Sequence, residues 1–324
     1  MKWKTWLGLL LLAGSYGQLL FPRRMFTDPD LFFYGYPIVP GNLLAIAATL
    51  SALGIILVSE GVCERLGAPS LMDLVTSGGR ARLSRIFVAA LAAGLTMELL
   101  AQWLGKLWFY PYWTPWFYWL VVVPGFVFYW IAIIESYVAV KAVLDSVATS
   151  RRAKGKHLGR LTGSFLGIVG AVLLIAAVWR YAAWYQAHGG YVFAATEPVH
   201  GAPPFLLVLL AFLGAFLVAE WGLQRQGLPS LVSSIRRAYW VPTAAVAVSS
   251  VLVSLVIESQ NAVNRYWAYT HFPKPSIAFL GVPLSVFATW PLQYVAFLLV
   301  PSLFVPVLAN LFWARTAIGF HPAT

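Results

Sequence analysis

Long apolar stretches dominate the chain, and short polar segments separate them at nearly regular intervals. An α-helix needs about 20 mostly apolar residues to cross the roughly 30 Å hydrocarbon core of a bilayer. When each apolar run is taken as one membrane helix, the pattern predicts eight spans, at residues 5–21, 42–60, 86–104, 117–143, 164–182, 204–222, 241–259 and 283–313. The sequence therefore predicts an all-α fold, a polytopic membrane helical bundle.

The composition strengthens this prediction. Of 324 residues, 60% are apolar and 10% are charged, whereas a soluble domain carries about 25% charged residues. The 22 Lys and Arg outnumber the 11 Asp and Glu, and in a membrane protein such an excess indicates topology and contact with anionic lipid. We therefore expect membrane lipids, and no nucleic acid, among the partners.

Positive charges cluster in the connections that follow the even-numbered spans. Lys and Arg accumulate on the cytoplasmic side of membrane proteins, so we expect a multi-pass protein of a bacterial or archaeal cell membrane with both termini in the cytoplasm. Lys2 and Lys4 precede an apolar run as in a signal peptide, but no small-residue cleavage pattern follows, so we expect a retained first helix.

An internal repeat relates the two halves of the chain. Residues 60–71 and 220–231 share Glu, Arg, Gly, Pro, Ser and Leu at a constant offset of 160. Four spans per unit is an even number, so both units enter the membrane from the same side. We predict a first four-helix repeat at 1–149, a basic cytoplasmic linker at 150–162 and a second repeat at 163–324. Ser70 and Ser230 are predicted to cap short interfacial helices.

Each predicted repeat carries one carboxylate inside an apolar helix, Glu98 and Glu258. Both precede an aromatic-x-Tyr segment, then a proline and a tryptophan, at offsets of 159 or 160. A carboxylate at this depth costs several kcal/mol unless it is protonated, paired or facing water, so it marks a functional site by default. The alternative is that each Glu bonds the facing repeat and holds the bundle together. We predict both as catalytic acids.

Other side chains near the two carboxylates are predicted to contact a ligand. Gln102 follows Glu98 by one helical turn, and Asn261 and Arg265 follow Glu258 on one helical face. The predicted binding residues are Gln102, Trp108, Tyr110, Trp130, Glu135, Asn261, Arg265, Trp267, Tyr269 and Trp290. The aromatic run at 103–119 is either an interfacial belt or a wall whose ring faces stabilise a cation on a hydrophobic ligand. One cysteine and scattered histidines predict neither a metal site nor a cofactor.

The order of these residues resembles the membrane carotenoid-biosynthesis proteins that include the bisanhydrobacterioruberin hydratases, and is distantly similar to the lycopene cyclases. The resemblance covers about 40 residues in each half; the paired Pro-Glu-Glu motif of the cyclases is absent. It rests in the second half on Glu258, Trp267, Tyr269, the Gly-Val-Pro-Leu segment 281–284 and Trp290.

The resemblance implies cofactor-free acid chemistry on a polyisoprenoid, by a hydratase or a cyclase. A protonated Glu98 or Glu258 would give its proton to a terminal carbon–carbon double bond, and aromatic rings would shelter the resulting cation. Water, positioned by Gln102, Asn261 or Asn264, or an internal alkene would then quench the cation.

Three functions are compatible with the sequence. An enzyme or binder of hydrophobic polyisoprenoids predicts a cavity that opens sideways into lipid. A non-catalytic subunit of a larger membrane complex, binding lipid, quinone or pigment, predicts stoichiometric membrane partners. A proton-coupled transporter built from parallel repeats predicts a water path to both faces.

Overall fold

The structure is a computed structural model that describes residues 2–16, 32–33, 36–37, 40–148, 160–264 and 266–315. Three sequence predictions fall wholly or partly outside these described residues. They are Arg265 as a ligand contact, the end of the predicted first span at 17–21, and residues 150–159 of the predicted basic linker.

Helices make up most of the described chain, and three pairs of two-residue strands lie between them. The helices are α1 (Lys2–Ser15), α2 (Pro40–Leu66), α3 (Leu71–Ser77), α4 (Gly79–Met97), α5 (Pro115–Phe117), α6 (Val123–Val147), α7 (Arg160–Ala187), α8 (Phe205–Arg225), α9 (Leu231–Arg236), α10 (Val241–Asn264), α11 (Leu284–Phe304) and α12 (Pro306–Trp313). The antiparallel strand pairs are β1 (Phe32–Phe33) with β2 (Tyr36–Pro37), β3 (Trp108–Phe109) with β4 (Ala268–Tyr269), and β5 (Ala278–Phe279) with β6 (Val282–Pro283).

Seven helical segments within the described residues are long and apolar enough to cross a membrane: Ala45–Leu66, Gly79–Trp103, Pro115–Val147, Gly163–Ala187, Phe205–Arg225, Val241–Ala262 and Leu284–Phe304. The predicted all-α membrane bundle is therefore confirmed. The predicted first span is represented only by α1, which ends at Ser15.

The prediction of one continuous last span from 283 to 313 is wrong. Helix α11 ends at Phe304, and Val305 adopts φ −130° and ψ 84° before α12 begins at Pro306. Proline has no backbone N–H and disfavours the α conformation in the preceding residue, so it breaks the helix here. The 21 residues of α11 still suffice to span the bilayer.

Two helical hairpins, α1–α2 and α7–α8, are held by close approach at glycine. A Cβ atom on Gly54 would lie 2.9 Å from the Gly8 carbonyl oxygen, and one on Gly214 would lie 2.9 Å from the Gly170 carbonyl oxygen. Small residues allow helix backbones to pack this closely in a membrane. Gly54 and Gly214 stand 160 positions apart, which favours the predicted duplication; its boundaries stay a prediction.

The predicted serine caps are both present. The Ser70 hydroxyl accepts a hydrogen bond from the Asp73 N–H at 2.9 Å, and the Ser230 hydroxyl accepts one from the Ser233 N–H at 3.2 Å. In both cases the side chain three residues on bonds back to the serine N–H, which completes a capping box. These caps set the starts of α3 and α9.

Helix α6 lies at the centre of the bundle and packs against α2, α4 and α10, while α11 packs against α4, α8 and α10. Trp130 is fully buried on α6 and donates its indole N–H to the Phe297 carbonyl oxygen of α11 at 2.8 Å. This contact joins the two predicted repeats. Helices α4, α6, α10 and α11 thereby bring together the segments that carry the two carboxylates and their aromatic neighbours.

Candidate functional site

The two aromatic-x-Tyr segments pair with each other as a short antiparallel ribbon. In the β3–β4 ribbon, Trp108 lies opposite Tyr269, and Phe109 lies opposite Ala268. Phe109 and Ala268 are equivalent positions of the predicted repeat, and they lie directly opposite each other in the ribbon. Because antiparallel pairing about equivalent residues has local twofold symmetry, it brings Tyr110 and Tyr269 to the same region.

A cavity of about 210 Å³ lies beside this ribbon, between α2, α6, α10 and α11. Its walls are mainly aromatic and aliphatic, as in most small-molecule sites. Five of the predicted ligand-binding residues line it together with Glu258: Trp108, Tyr110, Trp267, Tyr269 and Trp290. The structure therefore brings together aromatic residues from both predicted repeats around one of the two carboxylates.

The cavity reaches the outer surface of the helix bundle. Thr49, Val121 and Phe128 line it and are exposed, the last with 53% of its surface accessible. All three belong to segments that are long and apolar enough to span the membrane. The opening of the cavity therefore lies on the outer surface of segments that can span a membrane.

Glu258 is fully buried and held by three neutral donors. One carboxylate oxygen, Oε1, accepts hydrogen bonds from the Tyr269 hydroxyl at 2.5 Å and from the Trp290 indole N–H at 3.2 Å. The other oxygen, Oε2, accepts a long 3.4 Å hydrogen bond from the Asn261 amide. Within the described part of the chain, Glu258 has no ion-pair partner. The carboxyl group is thus oriented by polar side chains while it borders an apolar cavity.

Glu98 is also fully buried, but it does not line the cavity. It accepts hydrogen bonds from the Tyr110 hydroxyl at 3.1 Å and the Tyr118 hydroxyl at 2.9 Å. The Trp108 indole donates to the Tyr110 hydroxyl oxygen, and the Trp103 indole donates to the Tyr118 hydroxyl oxygen. Tyr110 therefore contacts Glu98 through its hydroxyl and also lines the cavity. Glu98 opens a π-helical segment, Glu98–Trp103, a distortion that is common at functional sites.

Gln102, a predicted ligand contact, bonds to the backbone of a distant loop and does not line the cavity. Its amide donates to the Ala194 carbonyl oxygen at 2.8 Å, and the Lys106 ammonium donates to the Val192 carbonyl oxygen at the same distance. The Tyr110 N–H donates to the Ala195 carbonyl oxygen at 2.8 Å. These bonds fasten the loop between α7 and α8 over the Glu98 side of the site. Burial lowers the pKa of Lys106 to about 8.

Glu135 and Trp130 also lie apart from the cavity lining. Glu135 is buried and accepts a hydrogen bond from the Leu71 N–H at 2.9 Å, which satisfies the start of α3. Trp130 makes the inter-repeat bond to Phe297 described above. Neither residue lines this cavity, and their contact with a ligand stays a prediction.

The amides near Glu258 mainly position its surroundings. Asn261 donates to Glu258 and accepts from the Trp267 N–H at 3.1 Å, so it fixes the aromatic segment beside the acid. Asn264 donates to the Tyr266 hydroxyl at 2.6 Å and does not line the cavity. Arg265, the remaining predicted contact, lies outside the described residues.

Sequence reasoning missed a second polar pair in the cavity wall. Gln293 donates its amide to the Tyr129 hydroxyl at 3.2 Å, and both residues line the cavity. A polar glutamine in an otherwise apolar membrane helix, one turn after Trp290, costs free energy to bury and therefore indicates a functional site. That signal would have pointed to Gln293.

No family model, curated protein or solved structure matches this chain. Among the described residues, no group of three or more His, Cys, Asp or Glu side chains is placed to hold a metal ion. The cavity and its carboxyl groups are therefore the features that bear on function.

Proposed function

We propose that this integral membrane protein binds the end of a polyisoprenoid or carotenoid-like hydrocarbon in the lateral cavity, and that Glu258 is the acid for hydration or cyclisation of its terminal double bond. One observation supports this above all. A buried carboxyl group, without a charged partner in the described structure, borders an aromatic cavity that opens on the outer surface of helices long enough to span a membrane. Such a group suits proton transfer to an apolar substrate.

The size of the cavity favours an elongated ligand. Pockets that enclose a whole drug-sized ligand have volumes of about 300 Å³ or more, whereas this cavity has about 210 Å³. It therefore fits the terminal portion of a long hydrocarbon whose remainder stays among the acyl chains. The lipid-facing residues Val121 and Phe128 mark the path by which such a chain enters.

In the proposed reaction, the neutral Glu258 carboxyl gives its proton to the terminal carbon–carbon double bond. The π electron pair forms the new C–H bond, and a tertiary carbocation and a carboxylate remain. Because Oε1 already accepts two hydrogen bonds, Oε2 is the oxygen that carries the proton. The ring faces of Trp108, Trp267 and Tyr110 stabilise the cation by cation–π attraction.

Quenching of the cation regenerates the acid. In hydration, water attacks the cation, forms the C–O bond and returns one proton to the Glu258 carboxylate. In cyclisation, an internal alkene attacks instead, and the carboxylate removes a proton from the new cation. Both routes balance without an external oxidant or reductant.

Glu98 contributes through Tyr110 in this proposal. The Tyr110 hydroxyl lies 3.1 Å from a Glu98 oxygen, and the Tyr110 residue lines the cavity. When the Tyr110 hydroxyl rotates away from Glu98 and the neutral Glu98 carboxyl donates to the Tyr110 oxygen instead, a proton passes from Glu98 to that oxygen as the Tyr110 hydroxyl proton moves to the substrate. Glu98 is then a secondary proton source, and Glu258 is the acid next to the substrate.

The test begins with the full chain purified in mild detergent and mass spectrometry of its bound small molecules and proteins. We expect a polyprenyl or carotenoid lipid and, with an acyclic carotenoid in vesicles, a product heavier by one water or a cyclised isomer. The Glu258→Gln variant should retain the lipid and lose the conversion.

A fully active Glu98→Gln, Glu258→Gln double variant would contradict the acid mechanism. Co-purification of a stoichiometric set of membrane proteins, without isoprenoid, would favour the subunit function. The cytoplasmic termini and the bacterial or archaeal cell membrane remain predictions from charge.

A further inference from the structure

A second cavity, of about 350 Å³, lies where α4 begins and where α11 gives way to α12. One wall comes from Gly78, Ala81, Arg82 and Arg85, and the opposite wall comes from residues 304–307 around the helix break. Two arginines line it, and none of its lining residues is acidic. The cavity is thus strongly positive, and it is separate from the aromatic cavity around Glu258.

The two arginines are available to bind a ligand. Arg82 and Arg85 are three residues apart on α4 and therefore share a helical face. Neither forms an ion pair with another residue in the described ranges. The Arg82 side chain occupies the space beside Gly78, because a Cβ atom there would fall 2.2 Å from the Arg82 Cδ atom. Glycine at 78 therefore permits this arginine conformation.

Apolar surface adjoins the two charges. Phe304 lines the same cavity with 63% of its surface exposed, and it is the last residue of a helix that can span the membrane. Arg82 and Arg85 lie in the first two turns of another such segment. A pair of unpaired cations at the end of a membrane helix, beside an exposed phenylalanine, matches a phospholipid, which has an anionic headgroup next to its acyl chains.

We infer that this cavity binds the phosphate headgroup of an anionic membrane lipid. Arg82 and Arg85 pair with the phosphate oxygens, since the guanidinium group forms bidentate hydrogen bonds with phosphate. Phe304 contacts the acyl chain. The bound lipid joins the start of α4, which leads to Glu98, to the end of α11, which carries Trp290 and Gln293 in the other cavity.

The experiment uses the full chain, stripped of lipid in detergent and titrated by native mass spectrometry. The probes are dioctanoyl phosphatidylglycerol, dioctanoyl phosphatidylcholine and inorganic phosphate. We expect the phosphatidylglycerol to bind most tightly. The Arg82→Gln, Arg85→Gln double variant should weaken its binding roughly ten- to thirtyfold, because each arginine near a membrane surface contributes about 1 kcal/mol to anionic lipid binding.

The matched control is the Arg236→Gln, Arg237→Gln double variant, which removes a different pair of arginines, both exposed, that line neither cavity. Its phosphatidylglycerol affinity should equal that of the unmodified protein. The Gly78→Ala variant should displace Arg82 and weaken binding severalfold, and it tests the site independently should the arginine variant fail to fold.

Three outcomes would overturn the inference. The first is equal affinity of the unmodified protein for the two lipids. The second is full phosphatidylglycerol affinity in both the Arg82→Gln, Arg85→Gln and the Gly78→Ala variants. The third is displacement of phosphatidylglycerol by an equal concentration of inorganic phosphate, which would assign the cavity to a free anion.

Discussion

Glu98 and Glu258 hold equivalent positions in the two predicted repeats, yet their surroundings differ. Each accepts a hydrogen bond from the tyrosine of its own aromatic-x-Tyr segment, Tyr110 or Tyr269. The second donor to Glu258 is Trp290, whereas its counterpart Trp130 donates to a backbone carbonyl oxygen of α11. As a result Glu258 borders the aromatic cavity, and Glu98 is enclosed by tyrosine hydroxyls.

The loop between α7 and α8 accounts for part of this difference. Its carbonyl oxygens at 192, 194 and 195 accept hydrogen bonds from the Glu98 side of the site, and Phe193 stacks on Trp119 at 5.5 Å between ring centroids. Equivalent residues of two repeats can therefore stand in different environments. One copy can then contact a ligand while the other acts from behind it.

The largest expected effect is on the rate of catalysis, and it tests directly whether Glu258 and Glu98 have different roles. Replacing Glu258 by Gln should lower the rate of isoprenoid conversion by about 10²- to 10⁴-fold, the usual contribution of a positioned acid. Replacing Glu98 by Gln should lower it by less than about tenfold, because Glu98 acts only through Tyr110. Rates measured in vesicles check both values. Equal losses in the two variants would show that the carboxylates share one role.

The two tryptophans should separate stability from ligand binding. Trp130→Phe removes a buried N–H that satisfies the Phe297 carbonyl oxygen, so we expect a loss of about 2–4 kcal/mol in unfolding free energy. Trp290→Phe should lower the unfolding free energy by about 1 kcal/mol, and it should weaken ligand retention more than Trp130→Phe does. Denaturant unfolding in detergent, combined with mass spectrometry of retained lipid, measures both. A reversed order of stabilities would refute the assigned roles.

A double-mutant cycle on Tyr110 and Glu98 sharpens the proposed connection. Tyr110→Phe keeps the ring in the cavity wall and removes the hydroxyl. We expect it to lower the free energy of unfolding by about 0.5–1.5 kcal/mol. If Glu98 acts through this hydroxyl, Glu98→Gln should add little further loss of rate in the Tyr110→Phe background. Additive losses would place Glu98 on another route. Tyr269→Phe is the matched control, since it removes the corresponding bond from Glu258.

A further expected effect is a pH dependence of stability at Lys106. Burial lowers the pKa of this ammonium to about 8, whereas a free lysine has a pKa of about 10.4. Between these values the unfolded chain binds more protons than the folded one, so the Lys106 contribution makes stability rise with pH by about 1–2 kcal/mol in total. This rise should be absent in Lys106→Met, as measured by denaturant unfolding from pH 7 to pH 10. Identical slopes would contradict a buried, easily deprotonated Lys106.

Some residues of the cavity could be predicted from the sequence, whereas the positions of others could not. Glu258, Trp267, Tyr269 and Trp290 follow from one stretch of chain, and the structure places them around one cavity. Gln102, Trp130 and Glu135 look equally suitable by spacing, but their partners are backbone groups 92, 167 and 64 residues away. Spacing along a helix reports which face a residue occupies, and it carries no information about the element that packs against that face.

By itself, the sequence determined the membrane class and the starts of the short helices α3 and α9, because apolar length and serine caps act within a few turns of chain. Only the tertiary structure decided which carboxylate meets the cavity. That choice depends on contacts between distant segments: the α7–α8 loop fastened beside Glu98, and Trp290 of α11 placed against Glu258. Equivalent residues thus acquire different chemistry, since burial and hydrogen-bond partners come from the packed bundle.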